Sequence, residues 1–288
     1  MDRRLFSTGL MACLSGVATL AHAGDKAELS QRFAEIEKAS GARLGVLVLD
    51  TGSGMRAGHR YDERFPMCST FKFLAAAAIL ARVDQQQERL DRRVVFSQRD
   101  LVDYSPVTEK HVGGAGMTVA ELCEAAITRS DNTAGNLMLA SIGGPAGLTR
   151  YTRSLGDMRS RLDRTETALN EARPGDPRDT TTPAAMLGDM QKILLGDSLL
   201  QPSRAQLLRW LDANQTGGQR LRAGIPADWV VGDKTGSGDR GTANVIAILR
   251  PPGRATILAA VYLTESTASM EARNATIASV GAAFARAA

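Results

Sequence analysis

Histidine is nearly missing from this chain: His22, His59 and His111 are the only three among 288 residues, and none has metal-ligand spacing to another. The three cysteines, Cys13, Cys68 and Cys123, have no histidine beside them. A zinc site needs several such ligands converging, so the sequence argues against a metal-dependent hydrolase, and equally against a Ser-His-Asp triad. No metal and no cofactor are expected. His59 and His111 read as surface loop residues. Runs of basic residues are also missing: arginines and acids are interspersed and the formal charge is +4, which speaks against a nucleic-acid partner. No membrane-spanning segment is visible. With so few cysteines, one disulfide at most is open to an exported chain. Cys68 stands at a helix start and Cys123 inside a separate apolar helix, which favours two buried thiols.

What is present is an ordinary globular composition, 43% hydrophobic and 23% charged, with length for one large domain or two lobes. The first residues are a targeting segment. Arg3-Arg4 form a positive start, Leu5 to Leu20 is mostly apolar, and Ala21-His22-Ala23 fits a small-x-small cleavage site, so residues 1–23 read as a signal peptide. Arg3-Arg4-Leu5-Phe6 also resembles a twin-arginine signal, and Leu10-Met11-Ala12-Cys13 loosely resembles a lipoprotein box. Soluble export, to the periplasm or the medium, is the reading favoured over a lipid anchor.

Periodicity places the elements. Lys26 to Ser40 carries Leu29, Phe33 and Ile36 at helical spacing; Arg43 to Asp50 alternates like a strand and runs into the Gly-rich turn at Asp50–Gly54, so a hairpin follows. Helices are expected at Phe71–Val83, Thr118–Thr128 (Thr118 and Glu121 form a capping box), Asp131–Ser141, Pro145–Leu155, Thr182–Leu195 and Pro202–Leu211. Strands return at Trp229–Lys234, Asn244–Arg250 and Thr256–Thr264, and Ser269 to Ala287 closes the chain as a helix. Strands at both ends with helices between predict an α/β fold: one antiparallel five-stranded sheet covered by the end helices, beside an all-helical lobe. The expected division is 24–60 plus 213–288 for the sheet domain and 61–212 for the helical one. The stretch 161–179 is long for a structureless connection, which marks it as functional or specially stabilised.

Four short motifs carry chemistry: Ser69-Thr70-Phe71-Lys72, Ser130-Asp131-Asn132, Glu166 to Asn170, and Lys234-Thr235-Gly236. Ser69 and Lys72 lie one helical turn apart, and a serine hydroxyl needs a neighbour to take its proton or stabilise its alkoxide. Amides at the helix start point positive charge at a developing oxyanion. Ser130 can relay a proton to a leaving amine, and Asn132 can bind a substrate amide. A lysine at a strand end, Lys234, can hold a carboxylate with Thr235 and Ser237, while Gly236 leaves room for a ligand against the backbone. Glu166 can activate water and Asn170 can hold it; Arg164 and Asp179 can pin that loop as an ion pair. Each motif alone is equally a helix cap, a Gly turn or a solvated charge. The four in this order are a specific signal.

Together these motifs resemble those of the class A serine β-lactamases, from about Lys26 to the C-terminus. Arg161 to Glu166, Leu169-Asn170 and Pro174 to Thr181 look like the family's omega loop, and Tyr104-Ser105-Pro106-Val107 resembles its cleft-edge loop. The resemblance implies β-lactam hydrolysis through an acyl-enzyme, conferring resistance. Ser69 would be the nucleophile, Lys72 or a Glu166-bound water the base, and Ser130 the proton relay; Glu166 would drive deacylation. Tyr104, Asn132, Asn170, Lys234, Thr235, Gly236 and Ser237 would contact substrate or its attacking water. The Ser69 and Ser237 amides would form the oxyanion hole. The chain departs from many members in having Thr167 after the glutamate and no arginine in Gly241-Thr242-Ala243-Asn244; Arg220 looks like the substitute reaching the same carboxylate. No cysteine stands near Gly238, so Cys68 is expected free and a carbapenemase is not implied. A penicillin-binding DD-peptidase or a β-lactam sensor shares three motifs, but the Glu166 loop argues against both. The partner is a small β-lactam, and nothing in the sequence demands an oligomer.

Overall fold

The computed structural model describes the backbone of residues 12–287 and the side chains of residues 26–287. The signal-peptide reading concerns residues 1–23, whose side chains lie outside the described residues. Five strands form one antiparallel sheet: β1 (Arg43–Asp50), β2 (Arg56–His59), β3 (Val230–Gly238), β4 (Thr242–Arg250) and β5 (Ile257–Thr264), in the order β2-β1-β5-β4-β3. The N-terminal hairpin thus joins the C-terminal strands along β1 and β5, which pair from Arg43↔Thr264 to Asp50↔Ile257.

Both sheet faces are covered, so the strands are apolar on both sides. Period-2 alternation sorts their side chains. Val46 and Val48 of β1, Val245 and Leu249 of β4, and Val261 of β5 pack with Phe33 of α1 (Ala12–Ser40) and Ile277 and Phe284 of the last helix, α8 (Met270–Ala287). The opposite set, including Leu47, Ile246, Ile248 and Tyr262, packs against the helices of the middle chain. These are α2 (Phe71–Asp84), α3 (Val119–Thr128), α4 (Asn132–Ser141), α5 (Gly144–Ser154), α6 (Pro183–Leu194) and α7 (Gln201–Asp212). The fully buried α2 stretch from Phe71 to Ala77 runs through this second core.

Local chemistry starts α3, α4 and α6 within a residue of where the sequence indicated, whereas α1 begins at Ala12 rather than at Lys26. Thr118 and Glu121 make a complete capping box on α3, Asp131 caps α4 by accepting from Ala134 N at 2.8 Å, and Thr182 caps α6 by accepting from Ala185 N at 3.0 Å. Prolines occupy the first turns of α5, α6 and α7, where a missing N–H is harmless.

Two expectations need correction. His59 is not a loop residue: it ends β2, and its Nε2 lies 2.7 Å from Glu37 Oε2, joining the hairpin to α1. The strand carrying Lys234 does not stop there but continues to Gly238, because Gly236↔Asn244 and Gly238↔Thr242 extend its pairing with β4. The Lys-Thr-Gly motif therefore stands on a rigid edge strand rather than in a turn. Among the described residues, no helix is long and apolar enough to cross a membrane.

Candidate active site

Ser69 occupies a 3₁₀ turn, Cys68–Thr70, that leads straight into α2. Lys72 lies in the first turn of that helix, so its side chain returns to Ser69: Nζ donates to Ser69 Oγ at 2.9 Å. Close approach by glycine makes room for this arrangement. A Cβ at Gly135 of α4 would lie 2.8 Å from Lys72 Cε, and one at Gly236 of β3 would lie 2.9 Å from Met67 O and 3.2 Å from Ser69 N. Two-residue pairing of Phe65-Pro66 with Thr180-Thr181, with Met67 N donating to Asp179 O at 2.9 Å, ties the approach to Ser69 to the end of the 161–179 loop.

The side chains flagged by the four motifs meet in one buried network. Lys72 Nζ also donates to Ser130 O (2.8 Å) and Asn132 Oδ1 (2.7 Å), and lies 3.0 Å from Glu166 Oε1 with both side chains fully buried. Ser69 Oγ donates to Glu166 Oε1 at 3.1 Å. Asn170 Nδ2 donates to the other Glu166 oxygen at 2.6 Å, leaving its own Oδ1 buried without a protein partner. Lys234 Nζ donates to Ser130 Oγ at 3.0 Å, and Thr235 Oγ1 lies 2.5 Å from Thr216 Oγ1. Arg220 reaches the same strand: Nη2 donates to Ser237 Oγ, and Nη1 to the carbonyls of Gly236 and Asn244, all at 2.6 Å. Tyr104 stands at the rim, 61% exposed, its carbonyl accepting from Asn132 N at 3.0 Å.

Burial shapes the electrostatics. It holds the Lys72 ammonium below its ordinary range, a shift opposed by the Glu166 carboxylate. Lys234 falls well below its ordinary range through burial and then through the charge of Lys72. Burial likewise pushes Arg220 down to about 10. Three desolvated cations thus converge on one cleft beside an acid, a serine and two hydroxyls. That arrangement favours an anionic ligand and keeps lysine nitrogens available for proton transfer. Three of the nine non-glycine residues in the left-handed region among the described residues stand here, namely Cys68 (φ 44°), Tyr104 (φ 60°) and Ser130 (φ 57°). Such strain persists where the surroundings over-determine it.

The loop carrying Glu166 is held by charge. Arg164 Nε donates to Asp179 Oδ2 at 2.6 Å and its Nη1 to Glu171 Oε2 at 2.5 Å, while Asp179 Oδ1 accepts from the amides of Asp163 and Arg164. The Glu166–Thr167 peptide is cis. Cys68 and Cys123 are free and buried.

Sequence reasoning missed the supports. Asn136 brackets the Glu166 backbone, accepting from its N–H at 2.8 Å and donating to its carbonyl at 2.9 Å. Its position one turn beyond Asn132 on an otherwise apolar helix face was the available signal. Asn274 of α8 accepts from Arg220 Nε at 3.0 Å, and Asn214 donates to Asp233 Oδ2 at 2.8 Å beneath Lys234. Nothing local in the sequence marks either partner, because both contacts join distant segments.

The Beta-lactamase2 family model, described as the beta-lactamase enzyme family, matches residues 28–287. Beta-lactamase AST-1 of Nocardia asteroides is 52% identical over 287 residues, 96% of this chain and 92% of that protein. Beta-lactamase CTX-M-8 of Citrobacter amalonaticus is 48% identical over 275 residues, 95% and 93% of the two. Among solved structures, the putative class A beta-lactamase PenP from Rhodopseudomonas palustris superposes with TM-score 0.89 at 63% identity, covering 91% of this chain and 100% of its own. The ancestral (GNCA) class A beta-lactamase superposes with TM-score 0.89 at 65% identity, covering 90% of this chain and 100% of its own. Similarity of that extent, laid over a serine, a lysine and a carboxylate already in mutual contact, fixes the assignment: this chain belongs to the class A β-lactamases, enzymes that hydrolyse β-lactams.

Proposed function

We propose that the hydrolysis runs through a serine ester on Ser69, and that one observation carries this reading: Ser69 Oγ touches both Lys72 Nζ and Glu166 Oε1, at 2.9 and 3.1 Å. The hydroxyl thus has two proton acceptors within reach, a lysine held below its ordinary range and a carboxylate. Attack on the lactam carbonyl forms the Oγ–C bond, and the Ser69 and Ser237 amides hold the oxyanion. The C–N bond then breaks as Ser130 passes its proton to the departing nitrogen and is reprotonated by Lys234, 3.0 Å from its Oγ. Glu166 and Asn170 orient a water for attack on the ester, with Glu166 taking its proton; the C–Oγ bond then breaks and that proton passes to Ser69 Oγ, 3.1 Å from Glu166 Oε1. The unpartnered Asn170 Oδ1 supports that role.

Lys234, Thr235 and Ser237 of β3, with Arg220 reaching that strand from outside it, hold the substrate carboxylate, as their convergence and excess positive charge support. Gly236 gives the ligand access to the β3 backbone, Asn132 binds its amide side chain and Tyr104 flanks it. The catalytic cleft lies between a sheet domain, 24–60 plus 213–288, and a helical domain, 61–212. The chain is exported after cleavage near Ala23 and acts as a monomer in the periplasm.

The test uses purified mature protein and a chromogenic cephalosporin. Native protein turns over many equivalents, and Glu166→Ala forms one equivalent of a stable covalent adduct on Ser69. Rapid multiple turnover by Glu166→Ala refutes the deacylation role.

A further inference from the structure

The geometry points to Asn244 as a positioning residue that sets where the Ser69 hydroxyl and amide stand. The inference rests on the proposed role of Ser69 as nucleophile. Asn244 lies on β4 in the strip with Ile246 and Ile248 that faces the helical core, where an apolar side chain is the ordinary choice, and it is fully buried. A buried amide has to satisfy both its donor and acceptor groups. Its Nδ2 donates to Pro66 O at 2.8 Å and Met67 O at 3.2 Å, and its Oδ1 accepts from Leu263 N at 3.3 Å. The bound carbonyls belong to the residues just before Cys68, whose φ of 44° is unfavourable for a side chain and needs its neighbours fixed.

The Met67 carbonyl is shared. It also accepts from Thr70 Oγ1 at 2.7 Å and Thr70 N at 3.2 Å, closing the turn that contains Ser69. From the other side, Met67 N donates to Asp179 O at 2.9 Å. The nucleophile turn is therefore gripped between β4 and the end of the 161–179 loop. Asn244 is the side chain that makes the β4 half of that grip. Its backbone carbonyl separately accepts from Arg220 Nη1, a contact that side-chain replacement leaves in place. Loss of the amide should therefore misplace Ser69 without removing the carboxylate anchor.

The test compares Asn244→Ala and Asn244→Asp with native protein in steady-state β-lactam hydrolysis from about pH 5 to about pH 9. Misplacing a reacting group by an ångström is worth up to about a hundredfold. Asn244→Ala should lower kcat by about ten- to a hundredfold at every pH, with KM within about threefold. In Asn244→Asp, the neutral acid can still donate to one carbonyl, whereas the carboxylate faces the Pro66 and Met67 carbonyls in a buried site; these disfavour the charged form, against the opposite pull of Arg220 and the Leu263 amide. Its kcat relative to native should be greatest at the acidic end and fall as pH rises, a limb that Asn244→Ala lacks. Where Asn244→Ala does not fold, Asn244→Leu, which fills the site without a donor, is judged by the same criteria. Folded variants with a lowered Tm but kcat within twofold of native at all pH values overturn the inference. Ser69→Ala is assayed alongside: turnover surviving there refutes the nucleophile assignment itself, independently of Asn244.

Discussion

Replacing Asp179 by asparagine should loosen the loop that carries Glu166, and the size of the effect follows from three bonds. The Asp179 carboxylate is 1% exposed and accepts from Asp163 N at 2.7 Å, Arg164 N at 2.9 Å and Arg164 Nε at 2.6 Å. Asparagine keeps the shape and tolerates the left-handed backbone of this position (φ 56°). It can still accept the two amides through its one oxygen, but it then points an NH₂ at the Arg164 guanidinium. The lost charge-assisted bond and the donor left facing a donor together cost about 2–3 kcal/mol. Arg164 retains Glu171 at 2.5 Å, which limits the loss. For a domain of this size, that is a fall in Tm of about 4–6 °C. Differential scanning calorimetry of Asp179→Asn, Arg164→Met and the double variant measures it. The double variant should lose at least about 1 kcal/mol less than the sum of the singles, since the bond is removed only once. Deacylation should slow more than acylation, because Glu166 and Asn170 ride on this loop, and should appear as a burst in stopped-flow hydrolysis. A Tm unchanged within about 1 °C, or strict additivity of the two substitutions, refutes the reasoning.

The remaining predictions concern a close approach and a buried acid. Gly236→Ala would set a Cβ 2.9 Å from Met67 O and 3.2 Å from Ser69 N, so β3 must move off Ser69, the proposed nucleophile; acylation should fall by about tenfold or more with the fold intact, measured by single-turnover kinetics and circular dichroism. Asp189 of α6 is buried with one oxygen unpartnered, and burial, then the neighbouring Asp157, pushes its pKa from 3.8 up to about 9, against the weaker opposite pull of Lys192 and Arg153. The folded state therefore holds a proton that the unfolded state releases above about pH 4, so stability declines as pH rises from about 4 to about 9. Asp189→Asn should raise Tm at pH 8 more than at pH 5; an equal shift at both, by thermal melts, contradicts the assignment.

Much of this molecule was legible from local pattern. The α3 capping box, the Asp131 and Thr182 caps and the alternation along β1 each act within a few residues of the signal that announces them. The four motifs were legible for the same reason: Ser69 and Lys72 share one helical turn, so their contact follows from spacing. The Arg164–Asp179 pair joins the two ends of one loop and was within reach of charge complementarity. What escaped was set by tertiary contact. His59 looks like a loop residue until the β1–β2 register carries it to Glu37. The extension of β3 to Gly238 depends on its pairing with Thr242, not on its own Gly-rich composition, which locally favours a turn. Asn136, Asn274 and Asn214 are single polar residues whose partners lie 30, 54 and 19 positions away. No periodicity connects such pairs.

The charges of the cleft explain why these silent asparagines matter. Lys72 and Lys234 are fully buried and Arg220 nearly so, and for each the first cause of its lowered pKa is loss of water. Buried cations without strong partners are unstable. Lys72 has Glu166, but Lys234 and Arg220 have hydroxyls, carbonyls and the Asn274 amide, which orient without neutralising. The free protein therefore holds Lys234 and Arg220 among neutral dipoles, with Asp233 and Glu166 opposing only part of the loss of water. On the proposed reading, a ligand carboxylate entering there supplies negative charge and favours the protonated form of Lys234, the group that donates to Ser130. Binding of the anion and readiness of the proton relay are on this account one event. Asparagine suits the supporting positions because it fixes geometry while leaving that charge for the substrate to satisfy.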